Sequence, residues 1–299
     1  MDIVFHSGVN GSDPWVEFYP YNPSQTAGYA FMGIFGFATV IHLILMIPYR
    51  AAYFIALILG GICKRNNGYY GRAWSHNNRT QIKSWALQQM LILCAPPLVA
   101  ATIYMVLGRI IRAFNADHHS SIRSRRLTFI FVANDVLCFL TQIFGAGDQI
   151  TGNDNIMNIG LKVVLVGLIF SLVVFALFVW VAFVFHRRLK RDPTPVAEQN
   201  TDLHWERYMW AIYISCFALM LRNLVRTIEF AAPKSAVGRS EVYIYVFDAS
   251  MMMVSIVSLI FWHPGVLVKR LRVMNKANEM SGADVGERNS MDVPLTRYT

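Results

Sequence analysis

Charge is scarce in this sequence. Of its 299 residues only 15% are Asp, Glu, Lys or Arg, whereas a soluble domain carries about 25%. With 55% hydrophobic residues and a mean hydropathy of +0.39, the composition excludes a water-soluble core in favour of a membrane class. Cysteine is scarce too. Cys63, Cys94, Cys138 and Cys216 lie in or beside apolar runs, without the spacing of a zinc site or a disulfide framework, and read as buried packing residues. Residues 1–27 have neither a basic start nor an apolar core, so no cleavable signal peptide is expected and the first span acts as the insertion signal. No P-loop, HExxH or GxSxG sequence is present, which leaves no enzyme motif and implies neither cofactor nor metal.

What the sequence has in abundance is long apolar runs. A bilayer core of roughly 30 Å needs about 20 mostly apolar residues per helix. Six segments reach that length: Gly28–Ile47, Ser84–Gly108, Leu127–Gly147, Ile159–Phe185, Tyr208–Phe230 and Val242–Trp262. A further one, from Arg50, is clean only to Cys63 before it meets Lys64 and Arg65. Counting it as the second span gives an all-α, polytopic seven-transmembrane helix bundle; omitting it gives six spans and both termini on one side.

Charge placement supports seven. The net charge of +9 gathers in short segments between apolar runs, which writes membrane topology rather than nucleic-acid binding. Arg50, the arginines at 109–126, the basic cluster at 187–191, Arg207 and the tail residues from Lys269 onward then fall on one side, taken as cytoplasmic. The other side has few, apart from the loop after the second span, whose Lys64, Arg65, Arg72, Arg79 and Lys83 break the rule. The sequons Asn10-Gly11-Ser12 and Asn78-Arg79-Thr80 both fall on the outer side, so Asn10 and Asn78 are the expected glycosylation sites. The reading is an extracellular segment 1–27, a seven-helix domain 28–264 and a cytoplasmic tail 265–299, partly disordered. Val266 to Met274 alternates apolar and basic residues, as either a short amphipathic helix on the inner leaflet or a basic stop-transfer flank.

Ionisable side chains inside a span cost about 2.5–3.5 kcal/mol on insertion scales and are default candidates for function. Arg222, Arg226 and Glu229 stand at i, i+4 and i+7, on one face of the sixth span. Arg226 and Glu229 can pair, leaving Arg222 for an acid on another helix or an anionic headgroup; the plain alternative is that these residues mark the ends of a short apolar stretch. Asp135 and Gln142 share a face of the fourth span, and Asp135 is the expected partner of a sixth-span arginine. Asp248 lies near the outer end of the seventh span and His263 at its inner end, where Pro264 stops the helix and a cap is the plainer role. His42, deep in the first span, reads as an interhelical hydrogen bond or, less simply, a ligand. Gln88 and Gln89 lie near the outer end of the third span, and Pro96-Pro97 at mid-membrane should kink it and free backbone carbonyls beside a cavity or a packing contact.

The run Ala101-Thr102-Ile103-Tyr104-Met105 with Gly108-Arg109-Ile110-Ile111 resembles the third-span signature of the fungal lipid-translocating exporter family, the resistance-to-aminocholesterol-like proteins, which include a sphingoid long-chain base exporter. Tyr19, Pro20 and Ala27 resemble the family's entry to span one, His42 its first-span histidine, and Gly68-Tyr69 with Gly71-Arg72 its GY-x-GR segment. Phe131-Val132 with Asp135, Gln142 and Gly145 fits span four, and Phe185-His186-Arg187-Arg188-Leu189 the end of span five. Arg222, Arg226 and Glu229 fit span six, and Phe247-Asp248 with His263-Pro264 closes the likeness, which covers residues 19–264. The family pattern has an acid shortly before the GY segment, where this chain has Cys63-Lys64-Arg65.

The resemblance implies a seven-span protein of the plasma membrane, linked to tolerance of toxic amphiphiles, that translocates sphingoid bases or related lipids and in some members handles porphyrins. Its partners would be membrane lipids or amphiphilic small molecules, held along a polar strip of His42, Gln88, Asp135, Gln142, Arg222, Arg226, Glu229, Asp248 and His263. A seven-helix receptor of lipid stress is the first alternative. An intramembrane lipid-modifying enzyme built on His42, His186 and His263 is the second. Gly33 and Gly36 suit close helix packing, within one chain or between copies, so a homo-oligomer stays open.

Overall fold

The computed structural model describes residues 4–6, 15–17, 24–63, 82–120, 122–148, 154–198, 201–232 and 244–274. Two three-residue strands, β1 (Val4–His6) and β2 (Trp15–Glu17), pair antiparallel ahead of the bundle. They are the one departure from the expected all-α class among the described residues. The remaining elements are helical: α1 (Gln25–Tyr49), a 3₁₀ turn (Ala52–Phe54) running into α2 (Ile55–Ile62), α3 (Ile82–Ala113), α4 (Ser124–Asp148) and α5 (Asp154–Arg191). A short α6 (Pro195–Glu198) leads to α7 (Glu206–Ala231). A π turn (Ile244–Ala249) then opens α8 (Ser250–Phe261), and α9 follows over 264–274.

Six of these helical stretches are long and apolar enough to cross a membrane, whereas Ala52–Ile62 falls short. The second span is therefore a short helix in the structure, and the segment that would extend it lies at 64–81, outside the described residues together with Asn10 and Asn78. The bundle is inside-out relative to a soluble protein. Phe37, Phe129, Trp180, Phe217 and Phe261 are exposed on its perimeter while charged side chains are buried within it, as expected where the outer solvent is hydrocarbon.

Neighbour relations close a ring: α1 packs on α2, α2 on α3, α3 on α4, α4 on α5, α5 on α7, α7 on α8, and α8 back on α1. The third helix also touches α7 and α8 across the ring. Its apolar stretch is 72% buried against 22% for that of α4, so α3 is the central strut. Small residues allow this. Ala95 accepts the close approach of Gly60 of α2, and a Cβ on Gly61 would collide with Thr39 of α1. Beyond them Tyr104 stacks edge-on with Phe178 at 4.5 Å and leans on Phe131 at 5.4 Å, tying α3 to α4 and α5.

A serine ladder joins α7 to α8. Ser215 Oγ lies 2.7 Å from Ser258 Oγ, and Ser255 Oγ donates to the Ser215 carbonyl at 3.2 Å. Interhelical hydroxyl bonds of this kind fix register where apolar packing alone is non-directional. That register brings the π turn before α8 against the C-terminal half of α7.

Candidate functional site

Arg222 and Arg226 project from α7 toward the π turn. Arg222 Nε donates to Asp248 Oδ1 at 2.6 Å, and Arg226 Nε lies 3.9 Å from the same oxygen. Arg226 also donates through a terminal guanidinium nitrogen to Glu229 Oε2 at 3.0 Å, the i, i+3 pair expected from spacing. All four side chains are about 95% buried, so two cations and two anions neutralise each other out of water. Burial of such groups is tolerated only in closely paired geometry. A π turn carries an extra residue relative to an α-turn, and Asp248 lies within it.

The expected pairing of Asp135 with a sixth-span arginine is corrected by this geometry: Arg222 is held by Asp248, which lies closer along the adjoining α8 end, and Arg226 by Glu229. Asp135 stands apart on α4, buried, with its Oδ2 making no hydrogen bond. Tyr104 and Asn134 are its polar neighbours, yet the Tyr104 hydroxyl and the Asn134 amide nitrogen also lack a hydrogen-bond partner. A carboxylate in this position keeps acceptor capacity to offer, since its two oxygens together take about four hydrogen bonds.

Asp135 lines a narrow cleft between α3, α4, α5 and α7 whose free volume is about 30 Å³, room for a water or two. Pro96 and Pro97 form one wall, Phe139, Phe175 and Leu219 supply apolar surface, and Gln142, Ser171, Arg222 and Asn223 supply polar groups. The two prolines sit within a helix that continues through them and withdraw two consecutive N–H donors from it. They line the cleft, as the cavity reading of that pair requires. Asn223 and Ser171 were not singled out from sequence; Asn223 accepts from Arg222 at 3.1 Å and orients its guanidinium. The available signal was a polar residue immediately after Arg222 in an apolar window.

The histidines form a second, separate group. His42 Nε2 donates to the Ile256 carbonyl at 3.1 Å, bridging α1 and α8 as an interhelical hydrogen bond should. Its Nδ1 has no partner. The Phe54 ring stacks on His263 at 4.4 Å and on His42 at 5.3 Å, and the two imidazole centroids are 6.1 Å apart. His263 caps α9: its Nδ1 accepts the Gly265 N–H at 3.2 Å, with Pro264 at the first helical position, the arrangement that suits proline there. His186 does not join them and pairs through Nδ1 with the Tyr213 hydroxyl at 3.0 Å. The strip foreseen from sequence is thus two sites, an acid-and-arginine cleft and a histidine–aromatic cluster. Gln88 lies on α3, with its side chain outside the described residues. Two of the cysteines, Cys63 and Cys94, are only half-buried, unlike Cys138 and Cys216.

Helices that cross a bilayer, ionic groups turned inward and an apolar perimeter define an integral, multi-pass membrane protein. A family model described as RTA1 like protein matches residues 57–271, and the chain belongs to that family. It is 32% identical to Protein RTM1 of Saccharomyces cerevisiae over 208 residues, 69% of this chain and 66% of that protein. It is 30% identical to Protoporphyrin uptake protein 1 of the same species over 192 residues, 64% of this chain and 62% of that one. Sphingoid long-chain base transporter RSB1, also from S. cerevisiae, is 24% identical over 271 residues, 79% of this chain and 70% of the relative. The chain spans slightly less than two thirds of the length of the first two. No solved structure matches it.

Proposed function

We propose that this protein is a seven-span transporter of amphiphiles in the plasma membrane, with its N-terminus outside, whose polar cleft takes a headgroup while the tail remains in lipid. The observation that carries the proposal is Asp135: a buried carboxylate, with the Tyr104 hydroxyl and the Asn134 amide beside it, in a cleft whose arginine is already neutralised by Asp248. Such a site favours a cationic or donor-rich headgroup, such as an amine flanked by hydroxyls. That chemistry agrees with the relative named as a sphingoid base transporter. Gln142 and Asn223 supply further hydrogen bonds, and Glu229 with Arg226 holds the arginine row in place.

His42 and His263 serve gating or proton coupling in this reading. In its neutral form His42 presents an acceptor at Nδ1, and His263 presents a donor at Nε2.

The test is flux of a fluorescent sphingoid base across liposomes that contain only the purified protein, beside a matched phospholipid. Asp135→Asn keeps the shape and removes the charge. It should slow base movement by about tenfold or more, the worth of one charge-assisted hydrogen bond, with folding unchanged by circular dichroism. Saturable binding without movement above empty liposomes would sink the transporter reading and favour a receptor.

A further inference from the structure

Tyr53, in the 3₁₀ turn that joins α1 to α2, is only 5% exposed, yet its hydroxyl has no hydrogen-bond partner. A buried donor left unpaired is costly. Three arginines gather at it. Arg109, half-buried on α3, lays its guanidinium over the Tyr53 ring at 4.5 Å. Arg112, three residues on, ties its Nε to the Gly108 carbonyl at 3.0 Å and leaves its terminal nitrogens open. Arg272 comes from α9. Lys269 Nζ donates to the Pro48 carbonyl at 3.0 Å and fixes α9 against the corner between α1 and α2, and Arg272, three residues further, shares that face. Arg109 is within charge–charge reach of Arg112 and Arg272, and the Tyr53 hydroxyl is within reach of Arg109 and Arg272.

The ion pairs among the described residues engage His119, Lys190, Arg222 and Arg226, and none reaches these three arginines. Basic residues at this end of the bundle are expected from topology alone. What sets these apart is the convergence of guanidiniums without a carboxylate on a buried donor without an acceptor.

We propose that this corner binds the phosphomonoester headgroup of a membrane lipid, its oxygens shared among Arg109, Arg112 and Arg272 and accepting from the Tyr53 hydroxyl. A phosphomonoester carries about −1.5 to −2 charge and three strong acceptor oxygens, which guanidinium forks match better than point charges do. A phosphodiester has less charge and fewer free oxygens. Arg112 and Arg272 are exposed, so a headgroup reaches the hydroxyl by displacing flexible side chains rather than backbone. Position makes the source a lipid rather than free phosphate. Arg109 and Arg112 close the apolar stretch Cys94–Ala113, and Val273 and Met274 present exposed apolar surface beside Arg272. In the topology proposed above, this end meets the cytoplasmic leaflet, where anionic lipids are expected.

The experiment is titration of the purified full chain in detergent with dioctanoyl phosphatidic acid, read by microscale thermophoresis. Dioctanoyl phosphatidylglycerol, whose phosphate is a diester, is the comparison. Saturable binding of phosphatidic acid, about tenfold tighter than the glycerol lipid, is expected. Tyr53→Phe keeps the ring under Arg109 and removes the donor alone; it should weaken phosphatidic acid binding about fivefold, and Arg272→Gln about tenfold. Arg270→Gln removes an exposed cation from the same helix, on the side near Tyr208, and should leave binding unchanged. Equal affinity for the two lipids, or no effect of Tyr53→Phe, overturns the proposal. So does an equal loss in Arg270→Gln, which would mean diffuse attraction to a basic surface. Displacement of the lipid by inorganic phosphate at the same concentration would make the ligand free phosphate and overturn the lipid source. Detergent leaves both ends of the bundle accessible, so the result is independent of orientation and of transport through the Asp135 cleft.

Discussion

Asp248 holds two arginines at once, so its removal exposes the cost that the ion network hides. Arg222 and Arg226 are each only 4% exposed, and a guanidinium cannot escape by deprotonating. Breaking a buried pair by deleting one partner costs about 3–5 kcal/mol, mostly as the penalty of the stranded charge. Asp248→Asn should therefore lower the thermal midpoint of the detergent-solubilised protein far more than Asp135→Asn, whose carboxylate holds no arginine. Replacing Arg222 and Asp248 together by Met and Leu should recover much of that loss, because matched apolar groups avoid the desolvation altogether. Equal midpoints for the two single variants would show that Arg222 finds another acid and that the pairing is not what stabilises α7 against the π turn.

At the scale of elements, the short α2 depends on glycine. Thr39 Oγ1 donates to the Phe35 carbonyl at 2.7 Å, so the hydroxyl that faces Gly61 is fixed and cannot swing away cheaply. Gly61→Ala should destabilise the α1–α2 contact by about 1–3 kcal/mol, the usual range for overpacking. Adding Thr39→Ala should return most of it, as read from the fraction of protein surviving a heating step before size-exclusion chromatography. A loss that Thr39→Ala does not relieve would place the strain on the Gly60 side, against Ala95 and Leu98.

The same contact marks where sequence reading stops. Six long spans were legible because an apolar run of 20 residues is a local property, and the Arg226–Glu229 pair because i, i+3 spacing is local too. The choice between Asp135 and Asp248 as partner of Arg222 was not legible: both are single acids in apolar runs, and only the serine-set register of α7 on α8 decides it. The split of the polar strip into two sites is tertiary for the same reason. Gly33 and Gly36 were the glycines expected to pack closely, yet a Cβ on Gly33 would meet nothing within 4 Å, and it is Gly60 and Gly61 that meet neighbouring helices.

At the scale of the whole molecule, the basic ends of the helices collect at one end of the ring. Arg109 sits over the Tyr53 ring at 4.5 Å, and Lys269 Nζ donates to the Pro48 carbonyl at 3.0 Å, clamping α9 to the end of α1. On α9, Leu267, Val268 and Leu271 are buried while Lys269, Arg270 and Arg272 are exposed, so the alternating sequence is an amphipathic helix with a basic outer face. In the topology proposed above such a surface lies on the cytoplasmic leaflet, where anionic lipids and the excess of Lys and Arg are both expected. If the second segment completes a span, the resulting topology puts Asn10 and Asn78 outside. Both sequons should then carry glycans: treatment with an endoglycosidase should shift the protein in a denaturing gel, Asn10→Gln and Asn78→Gln should each remove part of that shift, and the double variant all of it. An epitope at the C-terminus should meanwhile be reached by antibody only after the membrane is permeabilised. Six spans would put both termini on one side, so a glycosylated Asn10 together with a shielded C-terminus requires the seventh crossing, and a C-terminus accessible in intact cells removes it.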